Sequence, residues 1–196
     1  MKALRELQFT AIVAATIVAA SPHGTAQDLQ TPDELRKLCE TTLCRKPGGV
    51  VRLTLDSGKP FETRIDGPQP ITQDGQVFVF AGETIFVEAE IDGDHLTILR
   101  GVETNNHPEK TLTFHLSQEA GTPAMTLVVT NPFPKMVKYH AGMMLPMSEK
   151  LLKTSTCPVM GNGRMAFESW PNAIFRLVLF DFRLLDENTT QMSCEF

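Results

Sequence analysis

Along much of the chain from residue 50 onward, apolar side chains recur at every second position, which is the period of a strand with one face buried. Val51, Leu53 and Leu55 alternate with Arg52, Thr54 and Asp56. Ile85, Val87, Ala89 and Ile91 alternate with Phe86, Glu88 and Glu90. Leu112, Phe114 and Leu116 alternate with Thr113, His115 and Ser117, and Met125, Leu127 and Val129 with Thr126 and Thr130. Turn chemistry separates the runs: Ser57-Gly58, Asp66-Gly67-Pro68, Asp92-Gly93 and Asn131-Pro132-Phe133-Pro134. Asp-Gly between alternating runs is a strong hairpin signal, and two prolines cannot donate to a strand ladder. Gly161-Asn162-Gly163 reads as one more hairpin turn. Residues 173–185 differ from the rest, with Ile174, Val178, Phe180 and Phe182 on one side and Phe175, Leu177 and Leu179 on the other. A strand apolar on both sides belongs in the middle of a sheet covered on both faces.

One helix precedes the strands. Thr31-Pro32-Asp33-Glu34 supplies an N-cap, a proline in the first turn, acidic residues for the positive end of the helix and a capping box. The helix is predicted over about 32–42, with Leu35 and Leu38 on its buried side, before Arg45-Lys46-Pro47-Gly48-Gly49 stops it. Short strands at regular spacing with turns between them describe a sandwich or barrel. The expectation is a mainly β chain: an antiparallel β-sandwich, immunoglobulin-like in general architecture, with a short N-terminal helix and one domain over residues 27–196.

Residues 1–26 read differently. A short basic start with Lys2 and Arg5 leads into an apolar run over residues 9–20, then a polar tail with small residues. That is the layout of a cleaved secretory signal, and the run is too short for a spanning helix, which needs about 20 residues. Cleavage is expected after Ala26, because Pro22 hinders the alternative after Ser21. Export predicts a periplasmic or secreted protein with no membrane anchor after cleavage. In such a compartment the four cysteines, Cys39, Cys44, Cys157 and Cys194, are expected as two disulfides. Their separation favours Cys39 with Cys44 and Cys157 with Cys194, although four cysteines allow three pairings. The spacing is a poor match to a zinc site.

Charge and motifs narrow the function less. A formal net charge of −5, with no run of Lys or Arg, argues against nucleic acid as a partner. Neither a G-x-S-x-G elbow nor a cysteine left over after pairing is present. His95, His107, His115 and His140 lack metal-ligand spacing and read as solvated. Glu88 and Glu90 share a strand face and read as a solvated edge, since glycosidase carboxyls must oppose each other across a cleft. His140, Met143, Met144 and Met147 form a His-x-x-Met-Met-x-x-Met pattern whose thioether and imidazole groups suit Cu(I), set against the plainer role of Met as a filler beneath a loop. Trp170 is expected to cover the end of the core, with an interface anchor as its alternative role. The expected function is a non-catalytic binding or structural module for an unknown protein or small ligand, without a cofactor. A Cu(I) carrier using the Met/His loop, and an enzyme with a site assembled across strands, are the alternatives.

Overall fold

The computed structural model describes residues 31–93, 95–185 and 193–194. The expected leader, residues 1–26, lies outside them. Strand makes up 54% and helix 8%, the mainly β balance that the alternation predicts. Helix α1 spans Pro32–Thr41. Its capping box is closed, with the Glu34 carboxylate accepting from the Thr31 backbone N–H at 2.7 Å and the Thr31 hydroxyl accepting from Glu34 N–H at 3.3 Å. Those bonds hold the Glu34 carboxyl below its ordinary value. The helix buries no residue completely, and Leu35 and Leu38 are half-buried.

Among the described residues fourteen strands follow: β1 (Cys44–Arg45), β2 (Val50–Thr54), β3 (Pro60–Arg64), β4 (Gln69–Pro70), β5 (Thr72–Gln73), β6 (Gln76–Phe80), β7 (Thr84–Asp92), β8 (His95–Val102), β9 (Thr111–Gln118), β10 (Met125–Asn131), β11 (Met136–Met144), β12 (Leu151–Thr154), β13 (Arg164–Trp170) and β14 (Arg176–Leu185). They form a sandwich of two antiparallel five-stranded sheets. The first runs β13-β10-β9-β7-β8, the second β12-β11-β14-β6-β5, and β1-β4 and β2-β3 form two small ribbons beside them. Leu112, Phe114, Leu116 and Leu127 from the first sheet meet Tyr139, Leu177 and Leu179 from the second, all with no exposed surface. As predicted, β14 is central, lying between β11 and β6, and Leu177, Val178 and Leu179 are buried on both of its faces.

Both disulfides take the favoured pairing. Cys39–Cys44 has a Cα separation of 5.5 Å, possible because α1 ends at Thr41 between the two cysteines. Cys157–Cys194 ties the C-terminal tail to the strap between β12 and β13.

Three local expectations are corrected. The Met-rich stretch is not a loop from His140 onward, because β11 continues through Met144, paired to β14 on one side and β12 on the other. Gly161-Asn162-Gly163 is a turn but not a hairpin turn: β12 and β13 belong to different sheets, and the chain crosses between them. There Asn162 and Gly163 donate to Phe133 and Asn131 at 2.7 and 2.8 Å. Finally, Glu88 keeps the outward parity of Glu90 on β7 but is only 3% exposed, because Arg100 and Lys110 close over it, whereas Glu90 is exposed. Glu88 therefore does not belong to a solvated edge.

Candidate interaction surface

In sheet β13-β10-β9-β7-β8 one set of alternating side chains fills the core and the other faces outward. The register aligns the outward set in rows. Phe167 lies beside Val128, Val128 beside His115, and His115 beside Thr84, while Met165 lies beside Thr130, Thr130 beside Thr113 and Thr113 beside Phe86. Hydroxyls dominate the middle of this face, and some satisfy each other or a ring nitrogen: Thr84 and His115 Nδ1 are 2.8 Å apart, and Thr126 and Ser169 are 3.2 Å apart. The apolar end is β13. Phe167 is 65% exposed and Met165 58%, side by side on the outermost strand. Six of the eight exposed large apolar residues among the described residues fall on residues 147–167, around the edge strands β12 and β13.

The hydrogen-bond pattern shows which backbone groups β13 leaves over. Leu116 donates to Glu83 at 3.1 Å and accepts from Gly82 at 2.8 Å, so even-numbered residues of β9 point toward β7. In an antiparallel ladder this orientation alternates along each strand. Carried across the register, even-numbered residues of β13 point at β10, and Met165, Phe167 and Ser169 point their N–H and C=O groups off the sheet. No hydrogen bond to those groups is formed among the described residues. Natural edge strands are blunted by Lys and other charged residues, Pro, bulges or inward-pointing charges; β13 has no Lys, Pro or bulge, and its charges are Arg164 and the inward Glu168.

The inward side of β13 is firmly held. Glu168, 9% exposed, accepts the Cys157 N–H, and desolvation pushes its carboxyl above its ordinary value. Across the gap, Lys138 donates to the carbonyl of Thr156 and lies 3.5 Å from that of Ser193, and burial lowers its ammonium pKa. These two charged side chains thus serve the backbone that carries Cys157 and Cys194. Trp170 is 8% exposed and donates its indole N–H to Thr154 at 2.8 Å. It pins the end of β13 to the other sheet and presents little ring to solvent.

The four candidate copper ligands do not converge. His140 and Met144 lie on one face of β11, and Met143 faces the core with Ala141. Alternation at about 3.4 Å per residue puts His140 and Met144 roughly 13 Å apart along the strand. Met147 is 82% exposed beyond the strand, the Met144 sulfur accepts from Arg176 at 2.8 Å, and His140 Nδ1 faces Asp181 at 3.2 Å. Burial lowers the His140 pKa, while Asp181 works the other way.

A polar hollow of about 310 Å³ lies beside the β8 bulge, lined by Leu43, Glu88, Arg100, Asn106 and His107 among others. Its buried carboxylate, Glu88, is already held by Arg100 at 3.1 Å and Lys110 at 3.7 Å. An acid so compensated is an internal tie before it is a ligand site. Compared with known protein families, curated proteins and solved structures, the chain matches none.

Met165 and Phe167 were not legible as surface residues in the sequence. Arg164-Met165-Ala166-Phe167-Glu168-Ser169-Trp170 reads plausibly with either parity inward, because Ala166 and Trp170 oppose Met165 and Phe167. Only the register against β10 decides which set is outside.

Proposed function

We propose that this chain is an exported binding module, stapled by its two disulfides, that recognises a protein partner through β13 and the adjoining outer face of its sheet, and that it performs no chemistry of its own. The observation that carries this reading is the pair Phe167 and Met165, 65% and 58% exposed on a strand whose outward backbone groups form no hydrogen bond among the described residues. Isolated exposed apolar residues are ordinary on a protein surface. Adjacent ones on an open edge offer both apolar area and a template for strand addition. Two disulfides favour an oxidising compartment, and among the described residues no helix is long and apolar enough to cross a membrane. The Cu(I) alternative has less support, since His140 and Met144 lie on one face of β11, Met143 on the other and Met147 beyond the strand.

A photo-activated cross-linker placed at Phe167 in cells tests the reading, with Leu99 as control. Leu99 is 46% exposed on β8, the opposite edge strand of the same sheet. The expected result is protein adducts at position 167 and none at 99. Adducts at 99 alone, or at neither position, contradict it.

A further inference from the structure

We propose that the partner of β13 is β13 of a second copy, paired antiparallel about Ala166 so that the two five-stranded sheets run on as one. This rests on the preceding reading of β13 as the recognition element and names its occupant.

The backbone limits the choice of register. Met165, Phe167 and Ser169 project backbone groups that have no partner among the described residues, so hydrogen bonds form only where an odd-numbered residue of one copy faces an odd-numbered residue of the other. The same condition keeps outward side chains outward, because a slip by one residue would turn each apolar side chain to the other face. Registers centred on Met165, Ala166 or Phe167 all meet it.

Side chains choose among these three. Centred on Ala166, Met165 of each copy faces Phe167 of the second copy, so both exposed apolar residues gain an apolar cross-strand neighbour on the outer face. On the inner side Arg164 faces Glu168 of the second copy, and this happens twice by symmetry. Centred on Phe167, Met165 faces Ser169 and Arg164 faces Trp170. Centred on Met165, Phe167 faces Gly163 and Arg164 faces Ala166. Only the Ala166 register joins the two apolar residues and opposes the two charges.

The charges are suited to the pairing. Arg164 is exposed and has no ion-pair partner among the described residues. Glu168 is a nearly buried carboxylate at the sheet edge, and desolvation disfavours its charged form more than the Cys157 N–H and Lys138 favour it. A guanidinium from a second copy brings it compensation. The pair falls at a non-hydrogen-bonded position, where Cα atoms lie about 4.5 Å apart and side chains approach more closely.

Sedimentation of the purified full chain over a concentration series, together with two cysteine variants, tests the proposal. The wild type is expected to dimerise reversibly. Arg164→Glu should weaken the dimer at least about fivefold, since two symmetric cross-strand pairs turn from opposite to like charge. Ala166→Cys, whose residue meets its own copy at the two-fold axis, should form a covalent dimer on mild oxidation, whereas Ser169→Cys should not. Ala and Cys are similar in size, and circular dichroism of each variant checks that the sheets are retained. A wild type that stays monomeric with no cross-link at position 166 overturns the proposal, as does cross-linking at 169 in preference to 166. In either case, adducts between Phe167 and another protein would leave the binding reading standing and remove only the second copy as partner.

Discussion

Single residues supply the long-range ties that alternation cannot reveal. Asp56, in the turn between β2 and β3, accepts the Ala173 N–H at 2.9 Å and the Asn172 amide at 2.8 Å, joining the start of the domain to the entrance of β14. Those two bonds hold its carboxyl below the ordinary value, the backbone one more strongly. A folded pKa below the unfolded one gives stability that is complete above the unfolded value and lost as pH falls through the folded value. Asp56→Asn should therefore flatten the melting-temperature profile below about pH 4, the ordinary Asp range, with little change in that slope near neutrality. Thermal melts of both proteins across that range check this. An unchanged acid slope in the variant would mean that Asp56 is not a tie. Asp56 itself was visible in the sequence only as a polar position before a turn. Its partners lie more than a hundred residues away, and nothing local points to them.

Alternation fixes a strand's period but not its irregularities. Most strands and their hairpins lie where the period-two runs place them. Two register shifts mark such irregularities, an extra residue on β8 between Ile98 and Arg100 opposite Glu88/Ala89 and one on β14 between Phe180 and Arg183 opposite Lys138/His140. The second turns Phe182 to the core side against Phe114 and Tyr139, opposite to where alternation with Val178 places it. Glu88 and Lys138 keep their outward parity and are covered by Arg100 and Lys110 and by the strap carbonyls. A bulge has no composition of its own here, so only the pairing exposes it. The Gly161 turn shows the same dependence on distant chain. A Cβ at Gly161 would run into the carbonyls of Phe133 and Pro134, which are backbone and cannot swing aside. Gly161→Ala should destabilise by about 1–3 kcal/mol. Gly142→Ala, whose Cβ meets only the half-exposed and flexible Leu151, should cost less. Chemical denaturation ranks the two, and equal costs would contradict the packing. The disulfides separate in the same assay. Cys157–Cys194 closes a span of 37 residues against 5 for Cys39–Cys44. By loop-closure entropy its removal should cost about 2 kcal/mol more. A larger loss from the shorter loop would mean that Cys39–Cys44 does more than restrict the unfolded chain.

At the scale of the whole molecule, a sandwich has four edges, and their treatment distinguishes them. β5 is only two residues long, β8 is bulged against its neighbour, and β12 carries Lys153. β13 has neither a bulge nor a lysine, and beside the charged Arg164 and the inward Glu168 it presents Phe167 and Met165. The sequence announced strands and a sandwich, but not which strand lies at an edge, because strand order depends on pairings between segments far apart in the chain. The candidate surface was therefore hidden even though every residue in it was in view. Residue-resolved amide hydrogen exchange, comparing dilute protein with protein in its associated state, tests the central claim most directly. In dilute protein Ala166 and Glu168 are expected to be protected by β10 while Met165, Phe167 and Ser169 exchange freely, and on association these three become protected. Association that leaves Met165, Phe167 and Ser169 unprotected and shields another region, such as the hollow around Glu88 and Arg100, would contradict it.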